Sequence, residues 1–92
     1  MKSIIQQDER CFYCGQAIGT ETHHIFGGSN RKLSDQDGLT VRLCRQCHDE
    51  LHNDPNRSAP MQKALHRLGQ EQYEASGHTR EEFLARYGRN YL

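Results

Sequence analysis

Eight side chains able to bind a metal ion are concentrated in one part of this 92-residue sequence. Four are cysteines in two Cys-x-x-Cys pairs, and four are histidines, one pair adjacent and the other pair four positions apart. In chain order they are Cys11, Cys14, His23, His24, Cys44, Cys47, His48 and His52. Thiolates suit a closed structural zinc site, whereas three imidazoles suit an open site with coordination positions left for water or substrate. The sequence therefore predicts two metal sites of different chemistry.

The four cysteines are predicted to bind one structural zinc ion. Zinc would then join the two ends of the segment that lies between Cys14 and Cys44. Cys47 is placed at the start of a predicted helix, where the helix dipole favours a thiolate. The alternatives are a disulfide or redox pair, or thiols that are buried separately. The first residues lack the apolar segment of a signal peptide, so we expect a cytoplasmic chain with reduced thiols, which favours zinc.

The histidines are predicted to form a second metal site. His48 and His52 are four residues apart, so a helix places both rings on one face, while Cys47 is rotated from His48 by about 100°. His23 and His24 are neighbours in a predicted strand, where adjacent side chains point to opposite faces. Both can serve one site only if the strand ends or bends there. Surface histidines or substitute zinc ligands are the alternative interpretations.

This arrangement of imidazoles is typical of hydrolytic chemistry. Three ligating rings leave coordination positions open, and a fourth, unligated ring can accept a proton from water near neutral pH. A divalent metal can stabilise negative charge on a phosphate and on its leaving oxygen. The residues themselves therefore favour phosphoester hydrolysis over a purely structural role.

The elements that must position these residues are short. Residues 20–26 and 39–43 are predicted strands, and a short helix is expected from about Cys47 to Asn53. A longer helix is expected from about Pro60, and a capping box, Thr79 to Glu82, opens a last helix. The connections are predicted as a polar leader over residues 1–10, a flexible basic loop over 27–32 and a turn over 34–38.

Composition limits the fold to one small domain. The hydrophobic fraction is 34% and the mean hydropathy is -0.98, so a core alone is a weak source of stability and a metal staple is expected. We predict a small α+β fold over residues 1–92, with a zinc-stapled core over 11–54 and a helical C-terminal extension of two helices over 58–92. No apolar run is long enough to span a membrane, so no membrane partner is expected. The 12 basic and 12 acidic residues balance, and net charge decides little about nucleic acid.

The order of these motifs resembles a known family. Cys-x2-Cys, then His-His-Ile, a strand, and Leu-Cys-x2-Cys-His-x3-His are similar to the HNH endonucleases, also called ββα-metal or His-Me finger nucleases. The resemblance covers residues 11–52. Within that family the chain looks most like small phage-encoded HNH proteins related to the recombination-enhancement, RecA-dependent nucleases. The resemblance implies a zinc-clipped ββα-metal finger and a metal-dependent endonuclease that hydrolyses DNA phosphodiester bonds.

The resemblance also implies roles for individual residues. His24 would be the general base that activates water, and His23, His48 and His52 would hold one catalytic metal, magnesium or manganese. The four cysteines would hold structural zinc. The expected products carry a 5′-phosphate and a 3′-hydroxyl. The family's middle Asn, which orients the base histidine, corresponds by spacing to Leu39, and Asn30 is the nearest candidate to replace it.

Basic residues around the proposed site are the candidates for DNA contacts. Arg31, Lys32, Arg42 and Arg45 bracket it, and a solvated face of mixed charge is the alternative for each. The implied partners are DNA and a phage or host recombination protein, in the cytoplasm of the host cell. The alternative function is a non-catalytic zinc-binding module for nucleic acid or protein. His66 and His78 are predicted to be surface histidines.

Overall fold

The computed structural model of the protein describes residues 2–92. These residues form a small α+β fold with one two-stranded sheet and four α-helices, which confirms the predicted fold class. A 3-10 turn, Gly28–Asn30, precedes the first helix. The elements in chain order are β1 (Thr20–His24), α1 (Arg31–Gln36), β2 (Thr40–Cys44), α2 (Arg45–Asn53), α3 (Ser58–Ala75) and α4 (Arg80–Tyr87).

The two strands pair as an antiparallel hairpin that leads directly into a helix. His23 stands opposite Val41, and His24 stands opposite Thr40. Cys44 ends β2 and also caps α2, because its Sγ accepts a hydrogen bond from the backbone N–H of Cys47 at 3.5 Å. No connecting loop separates β2 from α2, so the sheet fixes the direction in which α2 leaves it.

The segment between the strands differs from its prediction. Residues expected to form a flexible loop and a turn instead form α1, whose buried Ser34 links the ends of both strands. The Ser34 hydroxyl donates to the carbonyl of Leu39 at 2.6 Å and accepts from the N–H of Phe26 at 3.2 Å. The predicted turn is confined to residues 37 and 38, because residues 34–36 belong to α1. A six-residue helix is too short to display an apolar repeat, and Ser34 is held by tertiary contacts.

The segment predicted as a polar leader is packed against the sheet over the residues that the structure describes. Ile4 donates its N–H to the carbonyl of Gly38 at 2.9 Å, and the Ser3 hydroxyl donates to the carbonyl of Thr40 at 2.5 Å. The side-chain oxygen of Gln6 accepts from the N–H of Arg42 at 2.7 Å. These bonds cover the outer edge of β2 and reduce its exposure to other chains.

Helices α3 and α4 cover the other side of the core. Gly69 lets α3 approach the end of β1 closely, since a Cβ there would lie 2.9 Å from side-chain atoms of Ile25 and Phe26. Met61 and Leu65 of α3 are buried. Gly69, Gln70 and Tyr73 complete its buried face, whereas Ala64 and Ala75 are exposed.

Helix α4 begins with the predicted capping box. The Thr79 hydroxyl accepts from the N–H of Glu82, and the Glu82 carboxylate accepts from the N–H of Thr79. At its other end, Arg86 and Tyr87 both donate to the carboxylate of Asp37, each at 2.6 Å. This contact ties α4 to the segment that follows α1. Within residues 2–92, no helix combines the length and apolar character needed to cross a membrane.

Candidate metal centres

The four predicted thiol ligands come together at the base of the hairpin. Their Sγ atoms all lie within 4.8 Å of one another, and those of Cys14 and Cys44 are 3.6 Å apart. The turn that carries the first pair closes through a bond from the N–H of Gly15 to the carbonyl of Cys11. Gly15 has a φ of 78°, a conformation that favours glycine. This spacing of four thiols suits one tetrahedral ion, and it makes the cluster a candidate zinc site.

The backbone around the thiols favours thiolate at one position. Burial raises the pKa of the Cys11 thiol, but backbone hydrogen bonds outweigh burial and lower that pKa to about 6. Those hydrogen bonds come from Cys14, Cys44 and Tyr13. At Cys47, burial and the neighbouring thiols raise the pKa far above its usual range. Four thiolates side by side would repel one another, so a full set of ligands needs a cation among them.

Three of the predicted histidines form a second cluster. Ring nitrogens of His23, His48 and His52 lie within 4.8 Å of one another. The rings of His48 and His52 lie on one face of α2 and meet edge to face, with centroids 4.5 Å apart. His23 reaches them from β1, with ring centroids at 5.6 Å from His48 and 5.7 Å from His52. The structure thus brings together the histidines that were predicted to share a metal.

His23 carries an unsatisfied nitrogen inside this cluster. The residue is 9% exposed, and its Nε2 is buried without a hydrogen-bond partner, alone in this respect among the side chains of residues 2–92. Burial, and then the charges of His48 and His52, lower the pKa of His23 to about 4, so its ring is neutral. An unpaired buried nitrogen costs free energy, and a neutral imidazole is the form that binds metal. A divalent cation fits this site.

His24 is the last residue of β1, so the strand ends there as a shared site requires, and its ring pairs with a carboxylate. Its Nε2 is 3.1 Å from Oδ1 of Asp35, on α1. The hydrogen bond with His24 lowers the pKa of Asp35, which is therefore ionised and can only accept. Nε2 must then carry the proton, and in the neutral ring Nδ1 is left free to accept one. The geometry suits a general base that is held by an acidic side chain.

Neither Leu39, which occupies the position of the family's middle Asn, nor Asn30, the candidate to replace that Asn, orients His24. Leu39 is fully buried, and the Asn30 side chain donates to the carbonyl of Tyr87 at 3.1 Å. Asp35 takes this place beside His24, and sequence reasoning missed it. It had been placed in a turn, whereas α1 turns its side chain toward the end of β1. The sequence offered one signal for this pair: an acidic residue in the segment between the two strands, which must pass close to the end of β1.

The predicted DNA-binding residues fall into two groups. Arg31 and Lys32 are exposed and line an open cavity of about 510 Å³ together with His24. Arg45, the first residue of α2, is also exposed. By contrast, the guanidinium of Arg42 donates to both Thr20 and Thr22 within the sheet. Arg42 therefore has an architectural role that the sequence did not indicate.

The two other histidines also differ from each other. His78 is exposed, as expected, and its ring stacks on Tyr73 with centroids 4.2 Å apart. His66 is half-buried and stacks on Phe26 at 5.4 Å, so its prediction as a surface histidine was wrong. Burial lowers the pKa of His66. Its place in the aromatic core was not visible from helical spacing alone.

Comparisons with known proteins identify a family without an assigned activity. The family model described as "Protein of unknown function (DUF968)" matches residues 4–60. This range contains both clusters, the hairpin and α2. No curated protein matches the chain, and no solved structure matches it. Because the matched range is more than half of the 92 residues, the chain belongs to the DUF968 family.

Proposed function

We propose that this protein is an HNH-type, metal-dependent endonuclease that hydrolyses DNA phosphodiester bonds. The observation that carries the proposal is the buried, unpaired Nε2 of His23 within reach of His48 and His52. A separate histidine, His24 at the end of the same strand, pairs with Asp35. A binding module that uses only the thiol cluster requires neither arrangement. The resemblance of residues 11–52 to HNH endonucleases supports the same proposal.

Each cluster has its own part in this proposal. Cys11, Cys14, Cys44 and Cys47 hold structural zinc, which staples the core over residues 11–54. His23, His48 and His52 hold magnesium or manganese. When bound there, the divalent ion supplies positive charge for the scissile phosphate and its departing 3′-oxygen. Cleavage leaves a 5′-phosphate and a 3′-hydroxyl.

The chain's own groups handle the proton. Nδ1 of His24 accepts a proton from the attacking water, and the positive charge that develops on the ring is stabilised by the Asp35 carboxylate. Asp35 also fixes the tautomer, because it can only accept the proton on Nε2. Ser34 anchors α1 against the ends of both strands and so keeps Asp35 beside His24. Asp35 is a positioning residue in this scheme.

Exposed cations beside His24 suit the DNA backbone. Arg31 and Lys32 line the cavity next to His24, and Arg45 is the first residue of α2. Arg42 contributes indirectly, because its hydrogen bonds to Thr20 and Thr22 hold β1 and β2 together. Binding through phosphates is weakly sequence-dependent and sensitive to salt. A role in phage or prophage recombination, with a recombination protein as partner in the host cytoplasm, follows from the resemblance.

A non-catalytic zinc-binding module is the second candidate. Three apolar side chains are exposed on or near the cysteine turn: Phe12, Tyr13 and Ile18, the last at 81%. Exposed apolar groups on a rigid turn are typical of surfaces that bind another macromolecule. In that case the histidine cluster would have no catalytic consequence.

Plasmid nicking tests the proposal. We expect the wild type to nick supercoiled DNA with magnesium or manganese, and His24→Ala to reduce the rate by about 100-fold or more. His78→Ala is the matched control, because this exposed histidine lies outside the site and should leave the rate unchanged. DNA ligase should seal the nicks, since it requires a 5′-phosphate beside a 3′-hydroxyl.

Two results would contradict parts of the proposal. Equal rates for His24→Ala and wild type would exclude His24 as the general base. If the wild type cuts neither plasmid nor single-stranded DNA with any divalent metal, the binding-module alternative gains and the nuclease proposal fails.

A further inference from the structure

A second basic groove lies between α3 and the residues after α4. It has a volume of about 440 Å³ and opens to solvent. The side chains that give it chemical character are Lys63 and His66 on α3 and Arg89 and Tyr91 near the end of the chain. No Asp or Glu side chain lines it. None of these four residues was predicted to bind DNA.

The wall formed by the last residues is fixed although it is not helical. Gln70 is completely buried in α3, and its side-chain oxygen accepts from the N–H of Tyr91 at 2.7 Å. Its Nε2 donates to Oδ1 of Asn90 at 2.8 Å. The Tyr91 ring packs against Phe26 and His66, with centroids at 5.2 and 4.7 Å. The groove is therefore formed before any ligand arrives, which lowers the entropy cost of binding.

The two cations of the groove have no anionic partner. Arg57, Arg80 and Arg86 each pair with an acidic side chain in the fold. Lys63 and Arg89 are exposed, and within residues 2–92 neither forms an ion pair. The Arg89 guanidinium lies 5.0 Å from the centroid of the Tyr91 ring, which limits its motion. Arg89 on the fixed wall and Lys63 on α3, both without an ion pair, suit an anion.

The groove adjoins the strand that carries the histidines. Phe26 follows His24 by two residues, and its ring stacks on His66 at 5.4 Å. The cavity with Arg31 and Lys32 opens at His24 itself. Basic surface is therefore found at the end of β1 and again on the far side of Phe26. A polyanion that reaches from the proposed site to this groove would meet basic side chains at both places.

We infer that this groove binds a backbone phosphate of the nucleic acid at a position outside the scissile bond, through Lys63 and Arg89. The inference rests on the proposed function. It adds a contact with a phosphate away from the scissile bond to the contacts proposed at that bond. A phosphate is the ligand, since the Tyr91 ring is already covered by Arg89, His66 and Phe26 and cannot stack on a base. His66 and Tyr91 position the wall and do not contact the strand.

DNA binding by the zinc-loaded full chain tests this inference. The probe is a fluorescein-labelled 16-base-pair duplex without added magnesium, measured by anisotropy over a range of sodium chloride concentrations. We expect the double change Lys63→Gln with Arg89→Gln to weaken binding about tenfold or more and to lower the salt slope by about two. The change Lys63→Arg with Arg89→Lys should keep both the affinity and the slope. Arg80→Gln, which removes a charge outside the groove, is the matched control.

The outcomes separate the groove from the nuclease. If the double Gln variant keeps the wild-type affinity and slope, the groove inference is overturned while nicking by the wild type still supports the proposed function. If the wild type neither binds nor nicks DNA, both fail. If a mononucleotide displaces the duplex at equal molar concentration, the groove is a small-phosphate site and the inference is also overturned. Should the double variant lose its circular dichroism spectrum, each single variant replaces it, with an expected fall in slope of about one.

Discussion

The thiol cluster and the imidazole cluster share α2, yet they differ in burial and in hydrogen bonding. Cys47 and His48 are adjacent in sequence but belong to separate clusters. Cys11 and Cys44 accept hydrogen bonds from backbone N–H groups, and three of the four thiols are buried. The imidazole cluster ranges from the buried His23 to the exposed His52, and one of its nitrogens is left unpaired.

This difference shows how one short helix can carry a closed site and an open one. Backbone donors stabilise thiolate charge and surround the sulfurs, which suits an ion that stays in place. An imidazole cluster with an exposed member leaves room for water or a phosphate at the metal. The comparison predicts that loss of the thiol cluster affects folding, whereas loss of the imidazole cluster affects chemistry.

The largest expected effect comes from the thiol cluster. Cys11→Ser should abolish cooperative thermal unfolding, because structural zinc contributes about 10–16 kcal/mol, as much as the whole stability of a small domain. The wild type should contain close to one zinc per chain after purification in magnesium buffer, and the variant none. Thermal unfolding and zinc content by mass spectrometry check this. His52→Ala, the control from the other cluster, should keep both zinc and fold; a zinc-free variant that melts like the wild type would refute the staple.

The second effect separates stability from metal binding in the imidazole cluster. His23→Leu should raise the free energy of unfolding by about 1–3 kcal/mol without added divalent metal, because it removes an unpaired buried nitrogen. It should also abolish nicking. Thermal unfolding with and without manganese is the measurement, and only the wild type should be stabilised by the metal. A variant that is less stable than the wild type in metal-free buffer would indicate that Nε2 has a partner in solution.

A smaller effect is expected at the carboxylate that holds His24. Asp35→Asn should slow nicking by about 10–100-fold, because the ring loses its anionic partner while the metal ligands stay in place. Since Asp35 is 52% exposed, stability should change by no more than about 0.5 kcal/mol. Initial nicking rates and thermal unfolding are compared with those of Glu71→Gln, an exposed acid on α3. Equal rates for Asp35→Asn and wild type would remove Asp35 from the mechanism.

The smallest effect is expected from the cap of α4, which belongs to neither cluster. Thr79→Ala removes the capping hydroxyl of α4 and should lower the free energy of unfolding by about 1 kcal/mol. Zinc content and nicking rate should not change. Urea denaturation followed by circular dichroism checks the stability, and a change in zinc content would mean that α4 supports the thiol cluster more directly than its contacts indicate.

The features that could be predicted from the sequence depend on residues close together in the chain. The capping box at Thr79 and the shared helical face of His48 and His52 follow from spacing within one helical turn. The partners that position the site come from distant segments. Asp35 meets His24 across eleven positions, and Gln70 meets Tyr91 across twenty-one. A single sequence holds no periodic signal for such pairs, so α1, the packed N-terminal segment and the fixed last residues were not foreseen.

The direct passage from β2 into α2 determines where this chain can change in length. One residue inserted between Cys47 and His48 would rotate both α2 histidines about 100° around the helix axis, away from His23. The same insertion within residues 54–57 would only lengthen the connection to α3, which begins at Ser58. Related chains and engineered fusions should therefore vary in length after Asn53, and keep the spacing from Cys44 to His52 constant.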